Sequence, residues 1–195
     1  VMILIWVCLL SFAYGAPQQI DKSFKLKFWD VEIGNLDVKA EIIKNRYTVS
    51  SLISARGIVS FFSEIFISSW ALGRVVGFDE LIPIQSSTRW HLNGVSRQTK
   101  LDYRGREVES FYYSPDLKKP YHLDDPASIN NTIDPVSLIL WLLIDRNQVQ
   151  MCVGEVLILD GFRMSELYFV NKTSGQQSVT CQGAIRRISG FKDVD

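Results

Sequence analysis

Apolar side chains alternate with polar ones along most of this chain, at the period of a half-buried strand. Phe24, Leu26 and Phe28 are separated by Lys25 and Lys27, and Trp29, Val31 and Ile33 then continue on the odd positions. Two adjacent aromatics where the phase flips predict a β-bulge that bends the strand. Gly34-Asn35 reads as a two-residue hairpin turn, after which Leu36, Val38, Ala40 and Ile42 alternate with Asp37, Lys39 and Glu41. Lys44-Asn45-Arg46 turns the chain into a third strand beginning at Tyr47. Further hairpin turns are predicted at Asn93-Gly94 and Arg104-Gly105. The last third reads as a meander with turns at Asp160-Gly161 and Ser174-Gly175.

Two segments change period. Ile58, Phe61, Phe62, Ile65 and Phe66 fall on one face of a helix, bracketed by Gly57 and Ser68-Ser69. The second is Asp134-Pro135 followed by the apolar run Val136 to Ile144, with Asp as N-cap and Pro at the first helical position. This helix is apolar nearly all round and must be buried on every side. A flat sheet covers only one side of it, whereas a curved sheet wrapped around it covers most. The expected architecture is therefore mainly β: a curved antiparallel sheet, as a half-barrel or open barrel, around one or two short helices. Between the helices, residues 114–133 form a long irregular stretch carrying Pro115, Pro120 and Pro126. A solvated crossing between two halves is the plain reading, and a functional loop the sharper one.

The N-terminus carries its own pattern. Residues 1–16 hold no charge, and the apolar run ends in Ala13-Tyr14-Gly15, small residues at the places signal peptidase reads. Residues 1–15 are thus expected to be a signal peptide cleaved after Gly15, leaving 16–195 as one β-rich domain. The run is short against the ~20 apolar residues a bilayer span takes. It lacks the opening Lys or Arg of a signal peptide, and an uncleaved anchor is the alternative. Cleavage removes Cys8 and leaves Cys152 and Cys181, an even pair in an exported chain, expected to be oxidised. A simple meander would put these two on strands separated by a third, ~10 Å apart at ~4.8 Å per strand. A disulfide needs Cα atoms within ~7 Å. Either Cys152 precedes the paired part of its strand or the meander is not simple.

Composition narrows function by exclusion. The 195 residues carry 21 basic and 21 acidic side chains and are 47% apolar, a globular balance without the basic footprint of a nucleic-acid binder. The run Arg97, Lys100, Arg104, Arg106 is diluted by Asp102 and Glu107 and reads as the solvent side of a hairpin. There is no glycine-rich phosphate loop, nucleophile elbow, zinc-protease helix or C-x-x-C pair, so no catalytic residue, metal or cofactor is assigned. His91 follows Trp90 on a strand and reads as a surface neighbour. His122, beside Asp124 and Asp125, is a candidate for general acid–base work or weak metal binding in the loop 121–125. Phe61, Phe62, Phe66, Trp70 and Trp141 gather on the helical segments and their edges. Core packing explains them plainly. The sharper reading is a helix and sheet that do not close fully, leaving an apolar cleft for a lipid-like ligand lined by Phe61, Phe62, Trp70 and Trp141.

Several longer motifs recur together: D-P-V-S-L-I-L-W-L-L at the helix start, C-V-G-E-V-L-I-L-D-G, and C-Q-G-A-I-R-R-I-S-G-F near the end, with the early Gly34 hairpin and the I-S-A-R-G-I-V-S helix entry before them. With these the chain resembles domain of unknown function 3108, a family of exported proteins of Gram-negative bacteria. The resemblance covers most of the chain after the signal. It implies a periplasmic β-rich domain and carries over Cys152 and Cys181 as the family's paired positions. It supplies no catalytic residue, since the family has no established activity. Family members run on past the glycine-phenylalanine pair with further strands. The first expectation is therefore a non-enzymatic periplasmic protein that binds an apolar or lipid-like ligand or an envelope partner. Its rivals are an enzyme using the 121–125 loop and a structural envelope-assembly factor without a small ligand.

Overall fold

The computed structural model describes residues 17–57, 60, 64–77, 80–114, 129–144, 152–175 and 179–190. The signal-peptide reading of 1–15 and the 121–125 loop with His122 lie outside them. Seven strands follow one another in chain order across an antiparallel sheet: β1 (Gln18–Phe28), β2 (Val31–Ile43), β3 (Arg46–Ala55), β4 (Ile65–Val76), β5 (Glu80–Leu92), β6 (Val95–Arg104) and β7 (Glu107–Ser114). A second sheet has the order β11-β10-β9-β8, built from β8 (Thr132–Ile133), β9 (Glu155–Leu159), β10 (Met164–Ser174) and β11 (Val179–Ser189). The helix α1 (Pro135–Leu143) joins β8 to β9, which pair in parallel and so require a crossover. Neither sheet closes into a barrel. The expected mainly β architecture, a curved open sheet around a short helix, is the one observed.

Alternation decides which side chains meet α1. Ile20, Val38, Ala40, Tyr47, Val49, Ala71 and Leu81 project from β1 to β5 onto the inner face and bury Val136, Leu140 and Ile144 of the helix. Further along the same face, Leu101, Tyr103 and Val108 pack against Leu159 and Ile129. The tip of the smaller sheet also crosses there: Phe162 meets the rings of Trp90 at 5.6 Å and Tyr113 at 4.9 Å. The Tyr113 hydroxyl donates to the Gly161 carbonyl.

Three local expectations need correction. The first hairpin turns at Trp29-Asp30 and not at Gly34-Asn35. Phe28 pairs with Val31, and both turn residues are left-handed, with φ 50 and 64. The change of phase at Trp29 is therefore the chain reversing, and the bulge lies between Leu26 and Lys27. Gly34 sits inside β2 between Leu26 and Ala55, where the Ser54 carbonyl would lie 2.5 Å from an added Cβ. Its glycine answers to close backbone approach and not to a turn.

Second, Ile65 and Phe66 open β4 and pair with Leu92 and His91, so the 3.6-residue spacing there does not mark a helix across them. Ile58, Phe61 and Phe62 lie outside the described residues. Third, α1 is not buried on every side, because Leu142 remains 50% exposed. The sheet covers the Val136–Leu140–Ile144 stripe and leaves Leu142 on the far side open, the residues between them being half-buried.

Candidate functional site

The register of the large sheet aligns one residue from each of five strands into a row. Phe24 pairs with Leu36, Leu36 with Ile53, Ile53 with Ile67, and Ile67 with Trp90. All five stand on the inner face, two residues along their strands from positions such as Val38, Ser51 and Ser69 that share the covered side. None of the five is fully buried, and Phe24 is exposed. At ~4.8 Å per strand the row runs about 19 Å, the length of an extended long acyl chain. Leu26 continues it on β1, and Leu92 and Val95 continue it at the other end, both open to solvent. Opposite Trp90, β6 places Arg97, an exposed cation with no ion pair among the described residues. The arrangement is an apolar strip along the curved sheet with a guanidinium at one end, called the trough below.

Trp141 occupies a different place. It projects from α1 into a cleft of about 370 Å³ between β5, β8 and β9, and its ring stacks on Phe169 at 6.2 Å. The cleft wall is half polar. Arg106 pairs with Glu80 and reaches Asn131, while Arg186 pairs with the nearly buried Glu166. Trp70 is elsewhere again. Its neighbour Ala71 belongs to the inner core, so alternation turns Trp70 to the outer face, near Thr48, Ser50 and Leu72. Of the four aromatics read from sequence as one lining, Trp70 and Trp141 stand on opposite faces of the large sheet, and Phe61 and Phe62 lie outside the described residues. In the sequence each member of the row Phe24 to Trp90 looks like ordinary strand alternation. Only the pairing of five strands brings them together.

Beneath the helix lies a polar relay. Asp134 caps α1, its Oδ1 accepting from the backbone N–H of Val136 and Ser137 at 3.1 and 2.9 Å. Its Oδ2 accepts from Ser137 Oγ at 2.6 Å, and Ser137 Oγ lies 2.8 Å from Tyr47 Oη. Burial pushes the Asp134 carboxyl up to about 6, and the hydrogen bonds it accepts oppose that rise. Burial likewise raises the Tyr47 and Tyr103 phenols, the Asp134 charge adding to the effect. Tyr103 Oη and Thr132 Oγ1 are buried beside this relay, where Ser86 and Thr132 are the hydroxyl side chains that face the Tyr103 phenol. An Asp–Ser–Tyr chain suggests nucleophile chemistry. These three side chains, however, are 0–1% exposed, so no substrate reaches the serine, and the relay serves the fold.

His91 is likewise accounted for. It stacks on Phe66 at 4.6 Å, meets Ser96 Oγ at 2.9 Å, and lies 3.6 Å from the Glu64 carboxylate. No cluster of His, Cys, Asp and Glu among the described residues is arranged to hold a metal ion. No helix among them is long and apolar enough to cross a membrane.

Cys152 and Cys181 lie at disulfide distance, with Cα atoms 5.4 Å apart. The geometric difficulty is resolved by unequal strand lengths. β9 begins at Glu155, opposite Tyr168, whereas β10 and β11 run on together to Ser174 and Val179. Cys152 precedes the paired part of β9, takes a left-handed φ of 59°, and reaches Cys181 beyond the end of its own strand. No family model matches the chain, and neither a curated protein nor a solved structure matches it.

Proposed function

We propose that this is a non-enzymatic, exported binding protein that holds a single-chain anionic amphiphile in the trough of its large sheet. The periplasm is the compartment this reading assigns, in keeping with the cysteine pair. The observation that carries it is the row Phe24–Leu36–Ile53–Ile67–Trp90, an apolar strip crossing five strands that α1 leaves incompletely covered. A sheet face that served only as core would be closed by the helix or by the smaller sheet. Here Phe162 at the tip of the smaller sheet meets Trp90, Leu36 leans on the core under the helix, and Phe24, Ile53 and Ile67 remain only partly covered. Fully burying one large apolar side chain is worth ~1.5–3 kcal/mol, so five half-covered ones give a ligand tail several kcal/mol to gain. Arg97 supplies a head-group partner, because a guanidinium receives a carboxylate or phosphate through two parallel hydrogen bonds.

The test is a native mass spectrum of the protein recovered from an expressing Gram-negative cell, followed by titration with a fluorescent fatty acid. Retained lipid mass, and at least tenfold weaker binding by an Ile67→Glu variant of unchanged melting temperature, support the reading. A bare protein that binds the probe no better than the variant does would overturn it.

A further inference from the structure

The tip of the β1–β2 hairpin is the most open apolar feature of the described chain. Trp29 is 84% exposed and Phe28 65%, and Val31 follows them on the far side of the turn. The two rings lie 6.2 Å apart. Trp29 sits at φ 50 in a two-residue turn whose left-handed positions favour Asn and Gly, and a bulky side chain there is uncommon. A residue that breaks a local rule without a packing gain points to a role outside the fold. The β2–β3 ladder ends at Gly34 and Ala55, Arg56 N–H still donates to the Ile33 carbonyl at 3.0 Å and Gly57 lies against the Glu32 carbonyl, so the part of the hairpin beyond its neighbour is the tip Phe28–Val31. Phe24, Leu26 and Phe28 share one face of β1, which makes the tip continuous with the trough.

Size and charge indicate the occupant. Three side chains of this kind bury about 500 Å², at ~150–250 Å² per aromatic, well below the ~1,000 Å² of a specific protein interface. Trp and Phe on a protruding turn suit the boundary between lipid headgroups and acyl chains, where one end of an indole is wet and the other dry. Lys25 and Lys27 are balanced by Asp30 and Glu32, so attraction there is apolar and not electrostatic. We propose that the Phe28–Val31 tip docks on a lipid bilayer surface with Trp29 as its anchor. This stands whether or not the trough carries a ligand.

The test is co-sedimentation of the protein, its mass checked for cleavage at the N-terminus, with phosphatidylcholine vesicles and with phosphatidylethanolamine–phosphatidylglycerol vesicles at low and high salt. The expected result is binding to both, changing less than about threefold with salt. Trp29→Gly and Trp29→Asn, both suited to the left-handed turn, should each lower the partition coefficient at least tenfold while the melting temperature holds or rises. Absence of binding to either vesicle would overturn the proposal. So would binding that both variants retain, binding that disappears at high salt, or cross-linking of the tip to a protein partner in place of lipid. Fatty-acid binding measured on the same samples keeps the trough reading separate: it should be unaffected by the Trp29 variants.

Discussion

Tyr47 and Ser137 are 90 residues apart in sequence and meet through their hydroxyls at 2.8 Å in the core. Ser137 has one hydroxyl proton and gives it to Asp134 Oδ2, so Tyr47 is the donor and Ser137 the acceptor. The bond fixes the first turn of α1 over β3. Tyr47→Phe removes the donor alone and should cost about 1 kcal/mol. Ser137→Ala deprives both Tyr47 and Asp134 of a buried partner and should cost roughly 2–3 kcal/mol. Urea unfolding of both variants against the parent protein checks the order.

Asp134 gives the fold a pH dependence of unusual sign for a carboxyl group. Its pKa is raised to about 6 by burial, so the folded state holds the proton through a window in which the unfolded chain has already lost it. Stability from this group is therefore fully present at about pH 4 and declines as the pH rises towards 6, with no further change above. The loss is roughly 3 kcal/mol for about two pK units. Asp134→Asn keeps a competent helix cap and removes the titration. Denaturant midpoints at pH 4, 5, 6 and 7 should converge or cross between the two proteins. The variant should be at least as stable at pH 7, and parallel curves would show that Asp134 does not carry the effect.

The Cys152–Cys181 bond closes a 29-residue separation across the end of β9. On the chain-entropy model that closure contributes ~3–4 kcal/mol. Because the bond ties β11 to the segment before β9, its loss should first release the β10–β11 extension. Hydrogen exchange with and without reductant should show lost protection at Phe169 to Ser174 and Val179 to Gln182. Protection of β2 to β4 should persist.

Gly34→Ala tests the corrected register. A Cβ at this position meets the backbone carbonyl of Ser54 at 2.5 Å, and neither strand can turn away without breaking the β2–β3 ladder. The substitution should cost about 1–3 kcal/mol by overpacking. Had Gly34 been a turn residue, the penalty would have come from its φ instead, and Gly34→Asn would have been mild. Here asparagine should be worse than alanine. Thermal melts of the two variants distinguish these cases.

What the sequence made legible follows from how local each signal is. The start of α1 could be read because Asp134 and Pro135 act within one turn of backbone, and the Asn93-Gly94 and Asp160-Gly161 turns are equally self-contained. The first turn was misplaced because Trp29 and Asp30 occupy left-handed positions without the residues that favour them, while Gly34 offered the expected signal for another reason. Ile65 and Phe66 carry a helical spacing that strand pairing to Leu92 and His91 overrides. At the site, Trp141 was visible as a large ring on an apolar helix. The trough was not, since Phe24 and Trp90 are neighbours only through four successive strand pairings that no window of sequence contains.

Arg97 decides what head group the trough prefers. It stands across from Trp90 at the end of the row, exposed, and without an ion pair among the described residues. A hydrogen bond to a charged group is worth ~1.5–3 kcal/mol, reduced by solvent at an open site, so Arg97→Gln should weaken fatty-acid binding by roughly tenfold. The matching fatty alcohol has no charge for the guanidinium to meet, and its affinity should change by less than twofold. Ile67→Glu should weaken both ligands alike. Competition titrations with the acid and the alcohol on the parent protein and the two variants separate tail from head. If Arg97→Gln lowers both affinities equally, Arg97 contributes packing against Trp90 and the head group lies elsewhere.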